Sequence, residues 1–233
     1  MGHMKILVID VGGSHVKLLV SGVRAPRRFR SGPTMTPQKM VAATLSRTSD
    51  WTYDHVSMGF PGLVVHGRIA SEPRNLGTGW LGFGFAHALR RPVRIANDAA
   101  MQALGSYHGG RMLFLGLGTG LGSAMIVDGQ VEPMELAHLP YKKGRTYEDY
   151  VGERGLERLG KRRWRKHTVT VIGLLRAALE PDYIVLGGGN AKKLGELPAG
   201  ARLGDNVNAF AGGFKLWDEE KADRPRQRSA GDE

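Results

Sequence analysis

Short apolar runs that end on glycine recur along this chain. Ile6 to Val11 reads as a buried strand, and Val16 to Ser21 as its hairpin partner across Gly12-Gly13-Ser14. The same order of strand, glycine-rich turn and strand returns at Met112 to Leu117 and Ser123 to Val127. His55 to Phe60, Val93 to Ala96 and Tyr183 to Leu186 are further strand-like runs. Helical spacing between breakers predicts helices over Pro37 to Ser46, Phe83 to Arg91, Ala99 to Tyr107, Tyr147 to Lys161, His167 to Leu179 and Val207 to Trp217. One more helix is expected after Gly189.

Strands alternating with helices give an α/β class. The repeated strand–turn–strand unit predicts similar halves facing each other across a cleft, divided near Gly109-Gly110. The expected units are an N-terminal lobe over residues 4–109 and a C-terminal lobe over residues 110–218, with the last helix packing back on the first half. The tail, residues 219–233, is charged and poor in apolar residues, so disorder is expected there.

Composition narrows the chemistry. The 233 residues include no cysteine, which excludes disulfides, Cys-based zinc sites and thiol catalysis. Lys and Arg number 33 against 22 Asp and Glu, a net charge of +11. That suits an anionic partner, but charge alone favours the plainer reading of a basic surface that keeps the protein soluble. No apolar run approaches the roughly 20 residues that span a bilayer, and the N-terminus lacks the order of a secretory signal. A cytoplasmic location without a membrane partner is therefore expected. Met1-Gly2-His3-Met4 reads as a remnant ahead of a native start, so His3 enters no metal argument.

The 34 glycines exceed the average usage of about 7 % and cluster at strand ends, where a turn or ligand comes close. In Asp10-Val11-Gly12-Gly13-Ser14-His15-Val16-Lys17, the amides of Gly12, Gly13 and Ser14 would form a nest for phosphate oxygens. Asp10 suits Mg2+ held through water, and Lys17 adds a point charge. An ordinary hairpin with a solvated Asp stands level with that reading. The run Gly116 to Gly122 is poor strand material, and phosphate binding at Gly118, Thr119 and Gly120 would account for it. It is neither a P-loop nor a dinucleotide fingerprint, since no Gly-Lys-Ser/Thr and no helix follows.

Asn97-Asp98 precedes an Ala-rich helix, and capping that helix is the simplest role. A carboxylate at that strand end also suits a general base. Glu135 and His138 lie close enough in sequence to share a pocket and bind sugar hydroxyls; a surface Glu beside a packed His is the alternative. Gly187-Gly188-Gly189 would let a flat ligand such as adenine lie on the backbone. The basic run Lys161 to Lys166 is most simply a solvated helix face. It also suits a polyanion, with Trp164 able to stack on a base, but one aromatic is thin support and no nucleic-acid partner is expected.

Taken in order, these motifs resemble the ROK family of sugar kinases within the actin-like ATPase superfamily, and above all its polyphosphate glucokinases, from Lys5 to about Trp217. Asp10 to Ser14 is similar to the family's first phosphate loop, and Gly59-Phe60-Pro61-Gly62 to its Gly-x-Pro-Gly sugar-side loop. Asn75-Leu76 with Trp80 is similar to the segment beside the sugar. Asn97-Asp98-Ala99 resembles the Asn-Asp-Ala motif, whose Asp is the family's catalytic base. Gly116 to Gly122 resembles the second phosphate loop, Glu135 to His138 the Glu-x-Gly-His motif, and Gly187 to Gly189 the nucleotide-side glycines. Ala137 stands where Gly is usual, and the family's second sugar-binding Glu is left open between Glu148 and Glu153. The Cys-rich zinc motif is absent, as it is in polyphosphate glucokinases, so no zinc is expected.

The resemblance implies a two-lobed actin-like (ribonuclease H-like) fold with a cleft between lobes. It implies phosphoryl transfer from polyphosphate, ATP or both to the 6-hydroxyl of glucose or a similar sugar. Asp98 would accept the hydroxyl proton, a task for which an ordinary carboxylate pKa is expected to suffice, and Asp10 would position Mg2+. Gly12, Gly13, Ser14, Lys17, Gly118, Thr119, Gly120 and Gly187 to Gly189 would hold the donor. Gly62, Asn75, Asn97, Asp98, Glu135 and His138 would face the sugar. Family members are often dimers, which leaves a homodimer open. The alternatives are a non-catalytic sugar-binding regulator of the same fold and a nucleotide-switched ATPase without a sugar pocket.

Overall fold

The computed structural model describes residues 4–205 and 207–218. The readings made for residues 1–3 and 219–233 lie outside the described residues.

The first sheet has five strands in the order β3 (Arg27–Arg30), β2 (His15–Val20), β1 (Ile6–Val11), β4 (His55–Phe60) and β7 (Val93–Asn97). β1 pairs antiparallel with β2 and parallel with β4, so Asp10 lies opposite Lys17 on one side and Gly59 on the other. All of β1 is buried because both faces are covered, whereas β2 alternates. Helices α1 (Pro37–Arg47) and α2 (Phe85–Leu89) cover one face, packing Met40, Val41, Phe85 and Leu89 against Leu7, Ile9 and Val11. Thr36 caps α1 at the Lys39 amide, and Pro37 supplies a preset φ at its first position. Between β4 and β7 lies a small ribbon of β5 (Val64–Val65) and β6 (Arg68–Ile69).

The second sheet, also five-stranded, runs β10 (Gln130–Met134), β9 (Leu121–Val127), β8 (Arg111–Leu117), β11 (Tyr183–Gly187) and β12 (Ala201–Leu203). Its outer face is covered by α4 (Tyr147–Val151) and α5 (Glu153–Leu179), with Val171, Ile172 and Leu175 against Leu113, Leu115 and Leu186. The single charged helix expected over Tyr147 to Lys161 is corrected to two breaks. Gly152 is extended, and Gly160 takes a φ of 72°, a left-handed conformation that favours glycine. Trp164 is fully buried and donates its Nε1–H to the Val151 carbonyl at 2.8 Å, so base stacking by Trp164 is ruled out. After Gly189 the chain makes only a 3-10 turn, Ala191–Leu194, where a longer helix was expected.

The inner layer holds α3 (Asp98–Ser106) and α6 (Asn208–Lys215) between the sheets. α3 lays Ala99, Ala100 and Ala103 on Phe114, Ala124 and Ile126 of the second sheet. α6 lays Ala209 and Phe210 on Ile6 and Val8 of the first. The two helices touch backbone to backbone. A methyl on Gly105 would overlap the Asn208 carbonyl oxygen, and one on Gly212 would overlap that of Met101. The end of α6 is anchored by Ser57, whose hydroxyl donates to the Gly213 carbonyl at 2.5 Å and receives the Trp217 Nε1–H at 3.0 Å.

Gly212→Ala should lower Tm by about 4–10 °C, from about 1–3 kcal/mol of overpacking. Gly173→Ala, on an exposed turn of α5 with open space around it, should hold or raise Tm by a few degrees. Thermal melts followed by circular dichroism compare the two; equal losses would show that the helix crossing is not tight.

Candidate active site

The ends of β1, β4 and β7 lie side by side, and α3 starts where β7 stops. Asn97 sets that start. Its side-chain oxygen accepts the amides of Ala99 at 2.9 Å and Ala100 at 3.2 Å, and its Nδ2 donates to the Gly62 carbonyl at 3.0 Å. Through these bonds Asn97 positions the start of α3, and the second N–H of its Nδ2 has no described partner. It joins the Gly59 to Gly62 loop to the first turn of α3 and holds Asp98 between them. Gly59 gives the room: its α-carbon faces Met101, and a methyl there would strike that side chain 3.7 Å from the Asp98 α-carbon. On the opposite side, a methyl on Gly122 would come to 2.9 Å from the Ala99 Cβ. The start of α3 therefore touches strand ends of both sheets.

Asp98 is partly buried, and one carboxylate oxygen accepts the Ala99 amide at 2.8 Å. Withdrawal from water pushes its carboxyl up to about 7, and the charges of Asp10 and Glu135 add to the rise. Asp10 is 6 % exposed and forms an ion pair with Lys17 at 3.1 Å, the cross-strand partner that β1–β2 pairing sets opposite it. Glu135 and His138 approach each other to 3.7 Å across the 3-10 turn Leu136–His138, both well exposed.

The glycine loops are anchored through their carbonyls. Ser31 donates its hydroxyl to the Gly12 carbonyl at 2.6 Å and its amide to the Ser14 carbonyl at 3.0 Å. In the second loop, Asn190 binds the carbonyls of Leu117 at 2.9 Å and Gly118 at 3.2 Å. The Glu153 amide binds those of Gly118 and Thr119 at 3.0 and 3.2 Å. Some amides are engaged as well: Gly12 donates to His15 and Gly118 to Gly120. The nest expected from Gly12, Gly13 and Ser14 thus narrows to Gly13 and Ser14, and the second loop offers Thr119 and Gly120. Of the three glycines after β11, Gly187 packs on Phe114 and Gly188 on the Leu117 backbone, while Gly189 borders open space.

Sequence reasoning left Glu148 and Glu153 undecided and missed Arg74 and Glu72. Glu148 accepts the Leu121 amide at 3.3 Å and pairs with Arg74 at 3.5 Å, whereas Glu153 meets the loop through its backbone. Next to Arg74, the Asn75 Cβ lies 3.3 Å from where a Gly13 methyl would sit. Arg74 and Asn75 thus bridge the first loop to the second. Glu72 accepts the amides of Gly79, Trp80 and Leu81 at 3.2–3.3 Å and fixes the following turn. Leu76 and Trp80 belong to the first core. Nothing in the spacing of Glu72 or Arg74 marks them, because their partners are backbone amides and a distant carboxylate.

Comparison with known proteins gives a family and a fold for this chain. The ROK family profile matches residues 6–133, more than half of the chain. A polyphosphate glucokinase of Mycobacterium leprae (strain TN) is 27 % identical over 208 residues, 79 % of this chain and 63 % of that protein. The chain thus spans less than two thirds of that relative. A polyphosphate glucokinase of Mycobacterium tuberculosis (strain ATCC 25177 / H37Ra) is 27 % identical over 210 residues, 79 % of this chain and 77 % of its own. The crystal structure of an inorganic polyphosphate/ATP-glucomannokinase from Arthrobacter sp. strain KM superposes with a TM-score of 0.77 at 23 % identity, covering 94 % of this chain and all of that one. The shared architecture is the two-lobed actin-like ATPase fold, in which the two sheets are the cores of the lobes. Fold and profile agree on one assignment: this chain belongs to the ROK family.

Proposed function

We propose that the protein is a hexose kinase that transfers a phosphoryl group from polyphosphate, ATP or both to the 6-hydroxyl of glucose or a similar sugar. One observation carries the reading: Asp98 stands at the start of α3, where strand ends of both sheets meet, withdrawn from water so that its carboxyl is pushed up to about 7. The names of the relatives, polyphosphate glucokinases and a polyphosphate/ATP-glucomannokinase, support the same chemistry.

Asp98 takes the hydroxyl proton as the sugar oxygen attacks the terminal phosphorus, and the bond from that phosphorus to the donor's bridging oxygen breaks, so that the donor leaves as a nucleoside diphosphate or as a polyphosphate one unit shorter. A base near neutrality holds that proton more readily than an ordinary carboxylate and is still half ionised at pH 7. The transition state is loose, so most of the rate comes from placement and charge. The free amides of Gly13, Ser14, Thr119 and Gly120, with Lys17, bind the donor's phosphates. Glu135, His138, Asn75 and Glu148 hold the remaining sugar hydroxyls, and Asn97 keeps Asp98 in place. Asp10 fits Mg2+: it is a hard oxygen donor at a strand end, and only one of its oxygens is engaged, with Lys17. Bound with the donor, Mg2+ would neutralise charge on the phosphates.

A coupled assay across a few hexoses with each donor tests the reading, and absence of transfer to any hexose would end it. Asp98→Asn should lower kcat at least ~100-fold with sugar affinity retained. In the parent, kcat/KM should rise with pH through about 7 and then level off, because the ionised base is the active form. A profile flat from pH 5 to 8 would remove Asp98 from the role.

The same carboxyl sets a stability trend. Its folded pKa lies above the ordinary 3.8, so its contribution is fully present below about pH 4 and is lost as pH rises through about 7. Asp98→Asn, which carries no charge, should therefore melt higher than the parent at pH 8, by on the order of 2–4 kcal/mol. The gap should shrink steadily toward pH 4. A gap that does not change with pH would mean that Asp98 is not held away from water.

A further inference from the structure

β2 and β3 pair in a register that sets like charges side by side. His15 lies opposite Arg30 and Lys17 opposite Arg28. Directly opposed residues of an antiparallel pair share one face, and alternate residues return to it. His15, Lys17, Arg28 and Arg30 therefore project from one face of the sheet. It is the face that carries Asp10, since Asp10 is the cross-strand partner of Lys17. Along the same strands, Val16, Leu18 and Phe29 turn the other way into the core.

The arginines of β3 differ by face. Arg27, on the opposite face from Arg28, is paired with Asp50 at 2.5 Å and lies 4.1 Å over the Trp51 ring. Arg28 and Arg30 are exposed and take part in no described ion pair, hydrogen bond or ring contact. Lys17 is neutralised by Asp10, which leaves Arg28 and Arg30 as the cations of this strip with no carboxylate against them among the described residues. The strip is continuous with the first glycine loop, because Ser31, next after Arg30, is the residue that ties down the Gly12 and Ser14 carbonyls.

From this register we infer that the β2–β3 strip is a binding track for the part of an inorganic polyphosphate chain that trails behind the transferred phosphoryl group. Beyond Lys17, Arg30 and Arg28 neutralise successive phosphates as the chain leaves the glycine loops, with the His15 ring beside them on the same face. A nucleotide triphosphate is too short to occupy the outer pair and gains nothing from Arg28 and Arg30. This inference rests on the kinase reading for the position of the transferred group, but the track can be tested by binding alone.

The test compares the parent chain, Arg28→Gln/Arg30→Gln, Arg28→Lys/Arg30→Lys, and a Lys161→Gln/Arg162→Gln/Arg163→Gln control. Equilibrium binding of long-chain inorganic polyphosphate is measured over a range of salt, together with turnover on each donor. The glutamine pair should weaken polyphosphate binding about tenfold at low salt and reduce the slope of log K against log salt by about 0.7–0.9 per arginine. The lysine pair should restore most of the binding, and the helix control should match the parent. KM for ATP should stay within about twofold of the parent in every variant. Unchanged polyphosphate binding in the glutamine pair overturns the track, as does an equal loss in the helix control or in ATP turnover. Single-stranded RNA competing as well as polyphosphate overturns it too. If the parent binds polyphosphate through these arginines but phosphorylates no hexose, the track stands and the kinase reading falls. If hexoses are phosphorylated while the glutamine pair binds like the parent, the reverse holds.

Discussion

The contact between α3 and α6 is the constraint on which the site depends. Each helix lies on a different sheet, and they meet where Gly105 and Gly212 let backbone approach backbone. Side chains at such a crossing could rearrange, whereas a carbonyl against an α-carbon has no rotamer to change. The crossing therefore fixes the start of α3 relative to strand ends on both sheets. Asp98 sits at that start, and Asn97 converts the position of the helix into the position of the carboxyl through hydrogen bonds to α3 and to Gly62.

The same placement has an electrostatic cost, one that suits the proton-accepting role proposed for Asp98. Asp98 is withdrawn from water beside Asp10 and Glu135, so its charged form is disfavoured and its affinity for a proton rises. A structure selected only for stability would neutralise such a group or give it a cation. Here the available cation, Lys17, pairs with Asp10 instead, and Asp98 keeps its raised affinity. Unfavourable energy stored in a carboxyl at a strand–helix junction is a mark of function more than of folding.

The alternating strands, the repeated strand–glycine–strand unit and the position of Asp98 were legible in the sequence because each has a local cause. Period, glycine and capping chemistry act within a few residues. The edge strands β3, β10 and β12 were missed because they are short and carry charges or proline, and partner strands define them. The break at Gly160 was hidden in a helical pattern that continues on both sides of it. Trp164 looked like part of a basic surface, and only the packing of α5 shows it facing the core. In the site, the glycines were visible but their division of labour was not: the Gly12 and Gly118 amides go to the His15 and Gly120 carbonyls, while the loop carbonyls are held by Ser31, Asn190 and Glu153 from other segments of the chain. Arg74 and Glu148 come together only in the fold.

For the phosphate clamp proposed above, glycine-rich loops would ordinarily be a poor choice, because a flexible loop must lose its freedom when the ligand binds. Here the backbone freedom is removed beforehand, from the carbonyl side. Ser31 holds the first loop, while Asn190 and the Glu153 amide hold the second, without occupying the amides of Gly13, Ser14, Thr119 and Gly120. Glycine is then needed for close approach more than for flexibility: at Gly120 a methyl would strike Glu148, and at Gly122 it would crowd Ala99. Donors fixed in this way need little reorganisation as charge develops on a transferred phosphoryl group, which is the largest electrostatic advantage a site can offer. The anchors that hold the loops are thus as much a part of the clamp as the glycines that form it.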